Sequence, residues 1–234
     1  MKVLPGTSGF SYKEWKGNFY HEKFPAEEML QFYSSRFATV EINATFYRMP
    51  SEKQLLAWAG QVPETFTFVL KASRRITHDK RLADVAEEVG YFLKTATVLG
   101  NRLGPTLFQL PPNLKKDVPR LQAFLALLPR RWRAALEFRH PSWFDEEVFG
   151  ALREHNAALC IAHTGEDVDA PFVSTADWGY LRLRQEHYEP GDLEKWAADV
   201  LAQPWTDAFV FFKHEEEGTG PKLAAEFARL TANG

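Results

Sequence analysis

Seven places in this chain set a chemically capable side chain at the end of an apolar run. They are Glu41 with Asn43, Lys71, Gln109, Glu137 with Arg139 and His140, His163, Arg182 with Arg184, and Lys213 with His214. Carboxylates can move protons as general acids or bases, and amides can orient a ligand. Lysine and arginine hold anions, and the guanidinium matches phosphate or carboxylate oxygens in paired hydrogen bonds. The bases Lys71, Arg139, Arg182, Arg184 and Lys213 outnumber Glu41 and Glu137, so a cavity built from them attracts an anion. The plain alternative is that strand ends turn polar where they meet water, with both glutamates serving only as ion-pair partners. Side-chain alternation is taken to let one at most of Arg182 and Arg184 face inward.

Other chemistries have weaker support. Glu137, His140, His163 and His214 have ligand atoms, but no HxH, HExxH or cysteine spacing accompanies them, and Lys71 and Arg139 would repel a cation. No metal is therefore assigned, and no cofactor is named. Ser8 lies in GTSG without a GxSxG elbow, so that segment reads as a tight turn or a backbone anion cradle. The single cysteine, Cys160, sits among Ala158, Leu159, Ile161 and Ala162 and reads as a buried thiol.

The stretch around the first acid is the most unusual. Thr39–Pro50, TVEINATFYRMP, begins as a strand and then presents Glu41, Asn43, Thr45, Phe46 and Tyr47 before Pro50. Buried carboxylates and amides need partners, so such a segment belongs at a ligand-facing strand end. Lys71–Arg81, KASRRITHDKR, carries Thr77 and His78 among its bases and is either a solvated loop or a basic rim for a phosphate-bearing partner, nucleic acid included. Trp15, Phe46, Tyr47 and Trp143 could offer stacking surfaces or simply pack the loops. Arg130-Arg131-Trp132-Arg133 precedes a strand and so belongs to the opposite face.

These residues need elements to position them. Short apolar or alternating runs at residues 2–4, 39–42, 65–72, 106–110, 133–139, 158–163, 179–184 and 208–213 read as strands. Helical spacing follows Pro25, Ser51 and Leu82 (through Leu99), and recurs at 121–128, 145–155, 192–201 and 221–230. The connection Gly165–Trp178 is acidic and reads as irregular. Alternating strands and helices imply parallel strands with right-handed crossovers. Neither GxGxxG nor GxxxxGK[ST] appears, which leaves an open nucleotide-binding sheet without its motifs. The expectation is an α/β chain folded as a (β/α)8 TIM-type barrel, one domain over residues 1–234. A net charge of −3 argues against a wholesale nucleic-acid or membrane-surface binder. MKVLPGTSGF holds no long apolar run, so no signal peptide or anchor is read and a cytoplasmic location is expected.

GTSGFSYKEWKGNFY at Gly6–Tyr20, EINATFYRMP at Glu41–Pro50, FVLKASRRITHDKRL at Phe68–Leu82, LGPTLFQLPP at Leu103–Pro112 and EFRHPSW at Glu137–Trp143 together resemble the YecE-like family, domain of unknown function 72. The resemblance implies a TIM-type barrel with its characteristic residues at the strand C-termini, and it brings no established reaction. FVFFKHEEE at Phe209–Glu217 departs from the paired asparagines and aspartate that the resemblance would place there, with Lys213 standing in for an amide. The leading expectation is an enzyme acting on an anionic small molecule. Lys71 and Arg139 would hold the anion, Glu41 or Glu137 would act as acid or base, and Asn43, Gln109 and Tyr47 would orient the ligand. A nucleic-acid-binding protein and a metal-assisted phosphoesterase are the alternatives.

Overall fold

In a computed structural model the protein is described at residues 1–165, 168–185, 187–214 and 216–232. Eight parallel strands form one sheet: β1 (Lys2–Thr7), β2 (Thr39–Ile42), β3 (Thr67–Lys71), β4 (Leu103–Gln109), β5 (Ala134–Glu137), β6 (Ala158–His163), β7 (Gly179–Leu183) and β8 (Asp207–Phe212). The hydrogen-bonded order runs from β1 through β8 and β7 down to β2. The described helices are α1 (Met29–Ser34), α2 (Ala44–Tyr47), α3 (Glu52–Ala59), α4 (Ala86–Ala96), α5 (Val118–Leu125), α6 (Glu146–Glu154), α7 (Pro190–Leu201) and α8 (Thr219–Thr231). This is the (β/α)8 barrel that the alternating pattern predicts. Between β6 and β7 the described residues form no helix, as the acidic stretch implies, while Glu166 and Asp167 of that stretch lie outside the described residues.

The barrel closes at the seam between β1 and β2. Ser8 pairs with Glu41 in a parallel bridge, and the Gly9 amide donates to the Glu41 carbonyl at 2.8 Å. Below this bridge the buried Tyr33 hydroxyl of α1 accepts the Thr7 amide at 2.9 Å and donates to the Thr39 carbonyl at 3.1 Å. A tyrosine thus satisfies strand-edge groups that have no ladder partner. At Gly6 a Cβ would meet the Thr39 carbonyl oxygen at 2.4 Å. Gly6→Ala is accordingly expected to destabilise the protein by about 2 kcal/mol in urea unfolding, since overpacking against backbone finds little relief. An unchanged midpoint would mean that the seam is loose.

Alternation divides the side chains into two sets. Outward residues such as Val40, Ile42, Leu70, Leu136 and Leu181 join the core beneath the helices. Inward residues Leu4, Val69, Leu107, Ala135, Cys160, Tyr180 and Phe211 form a second apolar cluster inside the barrel. The N-terminal end is closed by Trp178 beneath Arg133, whose guanidinium lies 5.6 Å from the ring centroid and 2.7 Å from Asp207. The Arg130–Arg133 segment is therefore on the face away from the strand C-termini, as expected.

Two segments differ from the sequence expectation. The helix read from Leu82 begins at Ala86, because Arg81, Leu82 and Asp84 take positive φ angles of 51°, 67° and 51°. Leu82 and Val85 are buried core residues whose spacing mimics a helix, while Leu82 is held instead by its amide bond to the Ile76 carbonyl at 2.9 Å. The basic stretch after β3 is also no simple loop. Arg75–Asp79 winds into a π-helical turn with Ile76 and Thr77 buried.

Candidate functional site

Continuing the inward phase of each strand by one more step reaches the polar layer. Val69 leads to Lys71, Leu107 to Gln109, Ala135 to Glu137, Tyr180 to Arg182 and then Arg184, and Thr39 to Glu41, with Ser8 beside it across the seam. The period-two geometry of strands thus brings together residues far apart in sequence at the C-terminal mouth.

Arg182 is the centre of this layer. Its side chain is 2% exposed, and it donates from one terminal nitrogen to Glu137 Oε2 at 2.6 Å and from the other to Glu41 Oε1 at 2.9 Å. Glu41 Oε1 also accepts from the Ser8 hydroxyl at 2.6 Å and the Asn43 amide at 3.3 Å, while Oε2 accepts from the Tyr180 hydroxyl at 2.6 Å. Glu137 Oε1 accepts from Gln109 Nε2 at 2.7 Å and from Arg184 at 3.1 Å. The Gln109 oxygen in turn accepts from Lys71 Nζ at 2.8 Å, which fixes the amide's orientation. Both carboxylates are fully buried, and each of their oxygens accepts at least one hydrogen bond, as buried charge requires.

The electrostatics follow from this geometry. Burial pushes Glu137 up, but Arg182, Arg184 and Gln109 outweigh it and bring the carboxyl to about 2. Glu41 is opposed by burial in the same way, and Arg182, Ser8 and Tyr180 leave it below its ordinary value. Both acids are therefore ionised at neutral pH. Lys71 moves the other way: burial and the Arg182 charge lower it to about 8, with Glu137 and Glu41 holding it back. Three cations, Lys71, Arg182 and Arg184, thus face two carboxylates, and the mouth keeps a net positive charge.

The rim is built by α2 and the π turn. Thr45 is buried, and its hydroxyl bonds the Ile42 carbonyl at 2.9 Å and the Lys71 carbonyl at 2.6 Å, clamping the ends of β2 and β3 together. That clamp sets the Phe46 ring 4.3 Å from Lys71 Nζ, with His78 edge-on to Phe46 at 4.8 Å. Thr77 Oγ1 lies 2.9 Å from His78 Nδ1. Burial lowers the His78 pKa, and the charges of Lys71, Arg74 and Arg139 lower it further. Tyr47 is 77% exposed beside Phe46.

Several sequence-chosen residues sit elsewhere. His163 is out of phase with the inward set of β6 and turns toward the helices, its ring 5.3 Å from Trp196 and its Nδ1 3.2 Å from the Tyr188 hydroxyl. Trp143 is fully buried, stacked on Phe138 at 4.6 Å with its indole N–H on the Leu114 carbonyl, so neither it nor the buried Trp15 presents a stacking surface. His140 caps the turn Pro141–Trp143 through Nδ1, which accepts the Ser142 amide. His214 donates from Nε2 to the Gln185 carbonyl at 2.6 Å, and Lys213 is exposed past the end of β8, while Glu215 of that strand end lies outside the described residues. Among the described residues, no three His, Cys, Asp or Glu side chains form a metal-ligating group.

The reading of Arg182 and Arg184 as alternatives is overturned. Positions two apart share a strand face, and both guanidiniums bond Glu137. Tyr180 and Ser8 belong to this polar layer through their hydrogen bonds to Glu41, which residue type alone did not reveal. The signal for Tyr180 was its spacing of two from Arg182; for Ser8 it was the in-phase position after Leu4 and Gly6. The basic rim is more neutral than its sequence implies, since Arg74 pairs with Asp79 at 3.1 Å and both Arg75 and Lys80 pair with Glu88 at 2.8 and 2.9 Å.

Comparison with known proteins places this constellation in a family. The family model described as a protein of unknown function, DUF72, matches residues 4–234. The chain belongs to the DUF72 family. The UPF0759 protein YecE of Escherichia coli K12 is 33% identical over 116 residues, covering 49% of this chain and 43% of YecE. YunF of Bacillus subtilis, also a UPF0759 protein, is 33% identical over 140 residues, covering 56% of this chain and 50% of YunF. The matched region thus spans half or less of those relatives' length. A DUF72 crystal structure from Thermotoga maritima superposes with a TM-score of 0.89 at 28% identity, over 99% of this chain and 100% of that one. One from Enterococcus faecalis, at 20% identity, shares the fold with a TM-score of 0.82 over 98% of this chain and 95% of that one. No described helix is long and apolar enough to cross a membrane.

Proposed function

We propose that the protein is an enzyme that binds a small molecule bearing phosphate or carboxylate at the C-terminal mouth of the barrel. The observation that carries this reading is an unmet donor. The buried Nε atoms of Arg182 and Arg184 and the amide oxygen of Asn43 have no hydrogen-bond partner among the described protein groups. A buried N–H left unmade costs about 1–3 kcal/mol, and the oxygens of an anionic ligand can accept from the two Nε–H groups, while a ligand hydroxyl would be needed to meet the Asn43 oxygen. Lys71, Arg184 and Arg139 hold the anion in this reading, and Phe46 and Tyr47 cover one side. Glu41 and Glu137 keep Arg182 charged and oriented. Both are held ionised by the donors around them, so they keep the binding layer in place, and the group at the mouth best able to exchange a proton near neutral pH is Lys71.

Thermal unfolding in the presence of inorganic phosphate tests this. At ten times the dissociation constant, binding to the native state adds about 1.4 kcal/mol and raises the unfolding temperature. Chloride at matched ionic strength is expected to give no such rise, and Arg184→Gln is expected to remove it. Equal shifts in phosphate and chloride would contradict the proposal.

A further inference from the structure

We propose that Lys71 is a nucleophilic amine, and that the substrate is a small aldehyde or ketone carrying the anionic group, joined to Lys71 through an imine. This rests on the anion-binding reading and names the chemistry at its centre. Three features of the geometry support it. Lys71 Nζ ends an inward strand position at the mouth and bonds a neutral amide oxygen, Gln109 Oε1 at 2.8 Å, with no carboxylate within ion-pair distance among the described residues. One flank is the Phe46 ring, at 4.3 Å, which shields the amine from water. The cations Arg182 and Arg184 bear on it from inside the barrel and disfavour a further positive charge. With its pKa near 8, about one Lys71 in ten is a neutral amine at pH 7, against fewer than about one in a thousand for an ordinary lysine.

The step balances without any other reactant. The Nζ lone pair forms a bond to the carbonyl carbon while the C=O π pair moves to oxygen, and a proton passes from nitrogen to that oxygen to give a carbinolamine. A proton from the medium then converts the hydroxyl to a leaving water, and nitrogen donates its lone pair to form the protonated imine. One amine, one carbonyl and one proton yield one iminium and one water. In the imine complex Arg184, with its unmet Nε–H, and Arg139 hold the anionic tail, and Lys71, which a free anion would also engage, turns its Nζ to the carbonyl carbon. The iminium keeps the positive charge next to Phe46 and Gln109.

The test is reductive trapping on the full chain with glycolaldehyde phosphate and cyanoborohydride, followed by peptide mass mapping. Hydride addition turns the iminium into a stable secondary amine. The peptide bearing Lys71 is expected to label at least about tenfold faster than any other lysine peptide at pH 7. Its rate should rise to a half-maximum near pH 8, fall when inorganic phosphate is added, and vanish in Lys71→Arg, whose fold is checked by circular dichroism. Labelling spread over the exposed lysines, at a total rate unchanged in Lys71→Arg, would overturn the inference. If phosphate still raised the unfolding temperature in that case, the anion site would stand without the imine. Equal labelling of Lys71 by glycolaldehyde lacking phosphate would instead keep the amine and overturn the anionic substrate class.

Discussion

Arg182→Met is expected to lower stability by about 3–5 kcal/mol in guanidinium unfolding, among the largest losses from any single substitution in this chain. The methionine fills much of the same volume, so packing is not the source. The loss comes from Glu41 and Glu137, which are fully buried and meet on this one guanidinium at 2.9 and 2.6 Å. Removing one partner of a buried ionic group leaves uncompensated charge, whereas removing all of it together is far milder. The triple variant Glu41→Gln, Glu137→Gln, Arg182→Met is therefore expected to recover a large part of the loss. A single variant within about 1 kcal/mol of the parent would show that Arg182 does not organise the layer.

Glu137→Gln is expected to cost about 3 kcal/mol at pH 7, and the cost should disappear in acid. The sign follows from the direction of the shift. Glu137 in the folded protein titrates near 2, below the ordinary carboxylate value of 4.5. Its contribution is fully present above about pH 4.5 and is lost as pH falls toward 2, because the unfolded chain takes up the proton first. The difference in unfolding free energy between parent and Glu137→Gln, measured across pH 7 to 2, should shrink over that window. A difference that stayed constant with pH would contradict an ionised, paired Glu137. Lys71 has the opposite leverage: its lowered pKa means that its charged form is unfavourable in the fold, and that burden lifts as pH rises from about 8 toward the ordinary lysine value of 10.5.

The barrel was legible because strand and helix periods alternate along the chain everywhere but between β6 and β7, and no nucleotide motif competes. Glu41, Lys71, Gln109, Glu137 and Arg182 were legible for a related reason, since a polar residue ending an apolar strand stands out. The remaining parts of the site depend on phase. Tyr180 reads as one more core aromatic until it is counted back from Arg182, and it then proves to be a hydrogen-bond donor to Glu41. His163 has the right chemistry in the wrong phase, one residue past inward Ala162. Trp143 and Thr45 were chosen by residue type, while the structure uses both to fasten loops to the frame. Leu82 shows the limit of periodicity: it satisfies helical spacing as a buried anchor on a chain reversal at φ 67°. The pairing of Arg74, Arg75 and Lys80 with Asp79 and Glu88 lay beyond any reading of charge along the sequence, because the π turn that folds the segment back is a tertiary feature.

The central claim is that the mouth of this barrel holds an anion. Its most direct measurement is electron density from crystals soaked in phosphate, inspected at the strand C-termini. The account predicts tetrahedral density bonded by Arg184 and Lys71, with Arg139 and His78 alongside, and none of it in Arg184→Gln crystals. Density for the anion elsewhere on the surface, with the mouth holding only water at saturating ligand, would contradict it.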